Sequence, residues 1–354
     1  MAGLAHKSPL SIGDLHSTTI ERGAPVAPVR HFERRMFTDG TLIMPDGAHI
    51  AYWGFEDPLN APGIKSLPSP VIRMREGETA QVRLEMRKLA VNGAAVESSH
   101  TASGDALRVA SFDSHIYQWQ PRAAGSWLYQ SHTSTAQDFE MGLFGLLIVD
   151  PEADSTGRRR VFKNGPSYDV ERLWVLDDID PAWHTPRNSN GCSIDGNSAD
   201  AANARGERTF DPKYFLVNGV VNTAALHHRD VAITAKRGEK LLIRLLNASF
   251  SLLKVSIEHF NGAIVSVDGS AIDTAASPWT SWIPVRPSAP LIMSTGSRHD
   301  LMIDLDPAQN PVVPGQAYKV VFEFLDLARR LPRNASAPDA LHTGRITTTI
   351  TVVE

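Results

Sequence analysis

Cys192 is the only thiol among 354 residues, so no disulfide can form within the chain and folding needs no oxidising compartment. Long hydrophobic runs are missing too: no stretch approaches the ~20 apolar residues of a membrane helix. The opening residues, MAGLAHKSPLSIGDLHSTTIERG, have neither the apolar core nor the small-residue end of an export signal. These absences predict a soluble, cytoplasmic protein with no membrane contact. Charge of one sign is not in excess either. The formal charge is −4, and basic residues bunch only at Arg158, Arg159 and Arg160 and at Arg329 and Arg330, which gives no electrostatic reason to expect nucleic acid as a partner.

What the chain does have is 25 glycines and 23 prolines set between short alternating apolar stretches, the pattern of many short strands joined by turns. No window carries the period of a long amphipathic helix. Two segments repeat each other without a gap: VIRMREGETAQVRLEM from Val71 and AITAKRGEKLLIRLLN from Ala232. Gly77 falls on Gly238, Glu78 on Glu239, Arg83 on Arg244 and Leu84 on Leu245. Each reads as strand, glycine turn, strand. The segment ends echo as well, GLLIVDPE from Gly145 against GRITTTITVVE from Gly344. A repeat of this size predicts two copies of one β-domain.

The predicted architecture is all-β, two tandem Greek-key β-sandwich domains. An N-terminal arm covers residues 1–28, the first domain 29–152, a linker 153–170 and the second domain 171–354. The polar stretch between about 151 and 209 reads mostly as connection, with ERLWVLDDID as the opening strand of the second domain.

Together PSPVIRMREGETAQVRL, AGSWLYQSHTS, MGLFGLLIVDP, YFLVNG and GEKLLIRLLNAS resemble the multicopper oxidases, which are built from cupredoxin domains. The wording of YDVERLWVLDDIDPAWH and FEMGLFGLLIVDP is closest to the bacterial manganese-oxidising branch. The resemblance runs from about Arg30 to the C-terminus and implies that the two tandem Greek-key β-sandwich domains are cupredoxin-like. It implies copper and an oxidoreductase activity on a small molecule or a metal ion. It also implies assembly, as a homo-oligomer such as a trimer or with a partner subunit.

The ligand positions depart from the family pattern. Its oxygen-reducing cluster takes His-x-His pairs, whose spacing follows from strand alternation, since residues i and i+2 share a face. Laid on this chain, one pair becomes Ser98 and His100, the other Gln130 and His132. Blue copper needs two imidazoles and a thiolate. The thiolate position holds Ser131, and the next ligand positions fall near Asp138 and Leu143. The strand YKVVFEFLDL in the second domain has neither His nor Cys, and Cys192 sits in the loop NSNGCSIDGN. This arithmetic argues against a complete laccase-type oxidase.

His100 and His132 therefore form the candidate metal pair, holding at most one copper per chain, with His115 or His184 as a further ligand. The alternative is that both are packing histidines, in a copper-free double-cupredoxin module for binding or assembly, or in an enzyme that uses the old cleft without copper. DDIDPAWH gathers Asp177, Asp178, Asp180 and His184; these could be a hard-metal or acid–base site, but more simply carboxylates that cap backbone groups where the second domain begins. His259 and His299 read as structural, and adjacent His227 and His228 as a turn. Trp279 and Trp282 read as core-end aromatics.

Overall fold

The computed structural model describes residues 30–85, 114–131, 135–152, 157–184, 210–272 and 281–354, with the backbone of four short strands between 89 and 107. The expected N-terminal arm, Cys192 and Trp279 lie outside these residues.

The first sandwich packs two sheets. One has the order His49–Glu56, Arg30–Ile43, Ala80–Glu85, Ser114–Trp119; the other has Gly125–Gln130, Phe144–Asp150, Ser69–Arg75. Met36, Phe55 and Val82 from the first sheet meet Met74, Trp127, Leu147 and Val149 from the second. The second sandwich is larger, with an eight-stranded sheet around Val170–Ile179 and Lys240–Asn247 and a five-stranded sheet around Ala317–Leu325 and Arg345–Val353. The two tandem β-sandwiches expected from the repeat are present.

The repeat is topological as well as sequential. In both copies the opening strand runs parallel to the strand after the glycine: Arg30 pairs with Ala80, and Val170 with Leu241. In both, the strand before the glycine runs parallel to the closing strand: Arg75 pairs with Asp150, and Lys236 with Val353. The glycine turn thus carries the chain from one sheet to the other. Gly77 and Gly238 sit at φ 79° and 84°, where a side chain would be strained. The glutamate that follows closes each turn. Glu78 accepts the Arg75 N–H at 2.8 Å, and Glu239 accepts the Lys236 N–H at 2.7 Å. The Gly-Glu pair recurs because both copies need one left-handed residue and one carboxylate cap.

Phe144–Asp150 explains its own unbroken apolar run. Leu147 and Val149 point into the first sandwich, while Phe144, Leu146 and Ile148 point out of it. They are covered by Val175, Ile179, Leu216 and Leu246 of the second sandwich. A strand buried on both faces loses the polar half of its alternation. The two sandwiches therefore share an apolar seam. At one edge of it Arg73, Asp150 and Ser126 of the first sandwich meet Glu171, Arg244 and Asp300 of the second. Arg73 Nε lies 2.7 Å from Asp150 and its Nη1 2.7 Å from Glu171; Arg244 Nε lies 2.6 Å from Glu171 and its Nη1 3.2 Å from Asp300. Ser126 Oγ donates to Asp300 at 2.6 Å.

Candidate functional site

The strand Gly125–Gln130 ends at Ser131, whose N–H donates to the Leu143 carbonyl at 3.0 Å. Between them runs the six-residue helix Thr135–Glu140, and the Leu143 N–H returns to the Asp138 carbonyl at 2.9 Å. This closed loop brings together the three positions that the resemblance lays on blue-copper ligands. Ser131 Oγ donates to Asp138 Oδ2 at 2.6 Å, and Leu143 is fully buried beside Met74 and Trp127. The convergence is kept and the donors are not. A hydroxyl, a carboxylate and an isobutyl group supply hard oxygen or nothing, whereas blue copper takes a soft thiolate and imidazoles. These residues do not fit that copper.

The other sequence candidates are scattered in what the structure describes. His100 opens the short strand His100–Ala102, opposite Leu107; its side chain, and all of His132, lie outside the described residues. Gln130, in the first position of the second pair, is half-buried opposite Phe144. His115 is exposed on the edge strand Ser114–Trp119, opposite Leu84, with its ring centroid 4.5 Å from that of Tyr117.

His184 is buried, and both its ring nitrogens have partners within the chain. Nδ1 donates to the Ala51 carbonyl at 2.6 Å, and Nε2 faces Glu140 Oε1 at 3.3 Å. Among the described residues no cluster of three or more His, Cys, Asp or Glu side chains has metal-holding geometry. His259 stacks on Tyr318 at 4.3 Å, with its Nε2 against the Pro311 carbonyl. His227 ends a short 3-10 turn, and Trp282 is exposed.

Around His184 the seam holds four buried carboxyls, Glu140, Asp177, Asp178 and Asp180. Two act as caps, as the sequence suggests. Asp180 accepts the N–H groups of Ala182 and Asp211 at 3.0 and 2.9 Å, and Asp178 accepts the Phe250 N–H at 2.8 Å and the Ser251 hydroxyl. Glu140 reaches across from the first sandwich to accept the Asp180 N–H at 2.9 Å. Asp177 differs: on its strand it shares a face with Val175 and Ile179, which line the seam, and its Oδ2 has no hydrogen-bond partner.

Burial, then the neighbouring carboxylates, hold Glu140 and Asp177 well above the ordinary carboxylate range. Burial also lifts Asp178 to about 6, against its hydrogen bonds. Burial lowers His184 to about 4. With Nδ1–H committed to Ala51, a neutral imidazole presents Nε2 as an acceptor toward Glu140, and the raised Glu140 pKa favours the carboxyl form that can donate to it. Sequence reasoning noticed the aspartates but missed Glu140, because only the fold brings residue 140 against residue 184.

The sequence matches no protein-family model and no curated protein. Solved structures do match. A blue copper oxidase from Nitrosomonas europaea superposes with a TM-score of 0.60 at 17% identity, over 91% of this chain and 86% of that one. The multicopper oxidase mgLAC gives 0.61 at 16%, over the same shares. A copper nitrite reductase from Nitrosomonas europaea gives 0.54 at 17%, over 92% of this chain and 94% of that one. At such identities the likeness establishes the fold.

Proposed function

We propose that this chain is a multicopper-oxidase-like oxidoreductase reduced to a single mononuclear copper, held by His100 and His132 with His115 as the candidate third ligand, and without a blue-copper centre. The observation that carries the second half is the 2.6 Å hydrogen bond from Ser131 to Asp138, which closes the blue-copper position with oxygen chemistry. The first half rests on the two imidazoles that survive, one from each of the family's first-domain pairs. His184 is set aside because its nitrogens are already engaged.

A single copper ligated by imidazoles can exchange one electron at a time with a phenol, an amine or a low-valent metal ion. The wording shared with the manganese-oxidising branch makes a reduced metal ion the first substrate to try. Further ligands would come from a second copy or a partner subunit, and symmetry supplies only residues the chain already owns.

Copper-loaded protein tests the absence of the blue centre by visible and electron paramagnetic resonance spectra. A signal from nitrogen- and oxygen-ligated copper, without thiolate charge-transfer colour, is expected. An intense blue band would overturn the assignment. The oxygen-only ligand position also favours a second reading, a copper-free binding or assembly module, which predicts no retained copper.

A further inference from the structure

Asp177 lines the seam between the sandwiches within electrostatic reach of Glu140, at the end of the helix Thr135–Glu140. Asp177 is 5% exposed and Gln137 6%, and each carries a buried acceptor oxygen, Asp177 Oδ2 and Gln137 Oε1, that lacks a donor. Gln137 shares a helix face with Glu140 by the i, i+3 relation. Apolar Val175, Ile179, Phe139 and Phe144 line the same seam. An ionised carboxylate with an unpaired oxygen is costly in such surroundings, and a protonated one turns an acceptor into a donor.

We propose that Asp177 is a proton-operated latch between the two sandwiches: protonated, it lets the seam close dry, and when its proton leaves for solvent the seam loosens to admit water. Among the described residues the groups around it offer an ionised Asp177 no cation and, besides the Asp178 backbone N–H, little compensation. From the helix come Gln137, Glu140 and Asp138, the last bonded to Ser131. The strand Val170–Ile179 adds Asp178, and the turn after it Asp180 and His184. The paired strand Tyr214–Val217 adds Tyr214, committed to Asp46 at 2.9 Å. From the Phe250–Ser251 corner comes a hydroxyl, and from the C-terminal loop Arg333, which reaches Ser251 at 3.2 Å on the Asp178 side. The charges that act on Asp177 are those of Glu140 and Asp178, both acidic.

The direction follows from linkage. A carboxyl that holds its proton more tightly in the closed state favours closure below its ordinary titration range, near pH 4, and loses that contribution as pH rises. This inference does not depend on copper.

Hydrogen exchange on the full chain tests it, between about pH 5 and 8, as protection factors corrected for intrinsic exchange. Peptides over Phe144–Asp150 and Val170–Ile179 report the seam, and Arg345–Val353 reports the interior of the second sandwich. Seam protection should fall as pH rises through the range of the seam carboxyls, with Asp177 contributing about tenfold per pH unit as one of the protons linked to opening, while the interior stays level. Asp177→Asn should remove that tenfold step. Level or rising seam protection in the wild type, or a full wild-type slope in Asp177→Asn, overturns the proposal. If the variant does not fold, infrared difference spectra of wild type and Asp178→Asn with isotope-labelled aspartate replace it. A protonated aspartate signal that persists in Asp178→Asn and vanishes together with seam protection supports the latch, and no such signal at the acid end in Asp178→Asn overturns it.

Discussion

Gly125 of the first sandwich and Gly269 of the second meet backbone to backbone: a Cβ on Gly125 would stand 2.6 Å from the Gly269 carbonyl oxygen, and one on Gly269 would stand 2.5 Å from the Trp127 ring. The sandwiches are spaced by that contact. Gly269 and Gly47 both adopt positive φ, 77° and 86°, yet nothing lies within 4 Å of a Cβ on Gly47. Gly47→Ala should therefore cost only the conformational term, about 1 kcal/mol. Gly269→Ala should cost roughly 3 kcal/mol or more, because backbone and indole cannot both yield. Urea unfolding midpoints of the two variants make the comparison.

The ion network predicts a second contrast. Arg244 is wholly buried between Glu171 and Asp300, while Arg73 is 37% exposed. Arg244→Ala leaves the buried Asp300 carboxylate with only the Ser126 hydroxyl and takes from Glu171 one of its two guanidinium partners, and should destabilise by about 3–5 kcal/mol. Arg73→Ala leaves water as a substitute partner and should cost about 1 kcal/mol. Denaturant titration of both variants against wild type checks the order.

The same network sets an acid limit. Burial alone would raise Glu171, but Arg244 and Arg73 outweigh it and hold its carboxyl below the ordinary glutamate value. A lowered pKa gives stability that is present above the unfolded value, about 4.3, and lost as pH falls through the folded one. Glu171→Gln should flatten the wild-type loss of stability below about pH 4.3, read as melting temperature against pH.

His184 acts in a different window. Its pKa drops from 6.5 to about 4 on folding, so its contribution is complete above pH 6.5 and lost as pH falls toward 4. The swing is roughly 3 kcal/mol. The seam carboxyls push the opposite way over this range, so the two effects partly cancel in wild type. His184→Gln should therefore leave a profile whose stability climbs more steeply on acidification than wild type does.

Ser131→Ala removes one donor to a buried carboxylate and should cost about 1–3 kcal/mol by thermal unfolding. Copper uptake should not change, since the proposed copper rests on histidines and not on this hydroxyl.

The frame was legible because it repeats. Gly77-Glu78 and Gly238-Glu239 are local devices, one turn and one cap, and local devices leave local signals. Val170–Ile179 was likewise readable as the opening strand of the second sandwich. Its neighbour Glu140 was not, because the helix Thr135–Glu140 is too short to show a period and its partners lie some 40 residues on in the fold's seam. Arg244 shows the same limit. Its repeat partner Arg83 is 46% exposed, beside Glu33 and Glu85, so equal letters in the two copies have unequal roles. Sequence fixes which donors exist at Ser131, Asp138 and Leu143; only the structure shows that they converge.

Metal content per chain, by elemental mass spectrometry after copper loading and desalting, tests the central claim most directly. Wild type should retain about one copper per chain, as a site built on two imidazoles and one further donor implies, and His100→Ala/His132→Ala should retain none. A wild type that retains no copper, or a double variant that keeps it, would contradict the claim.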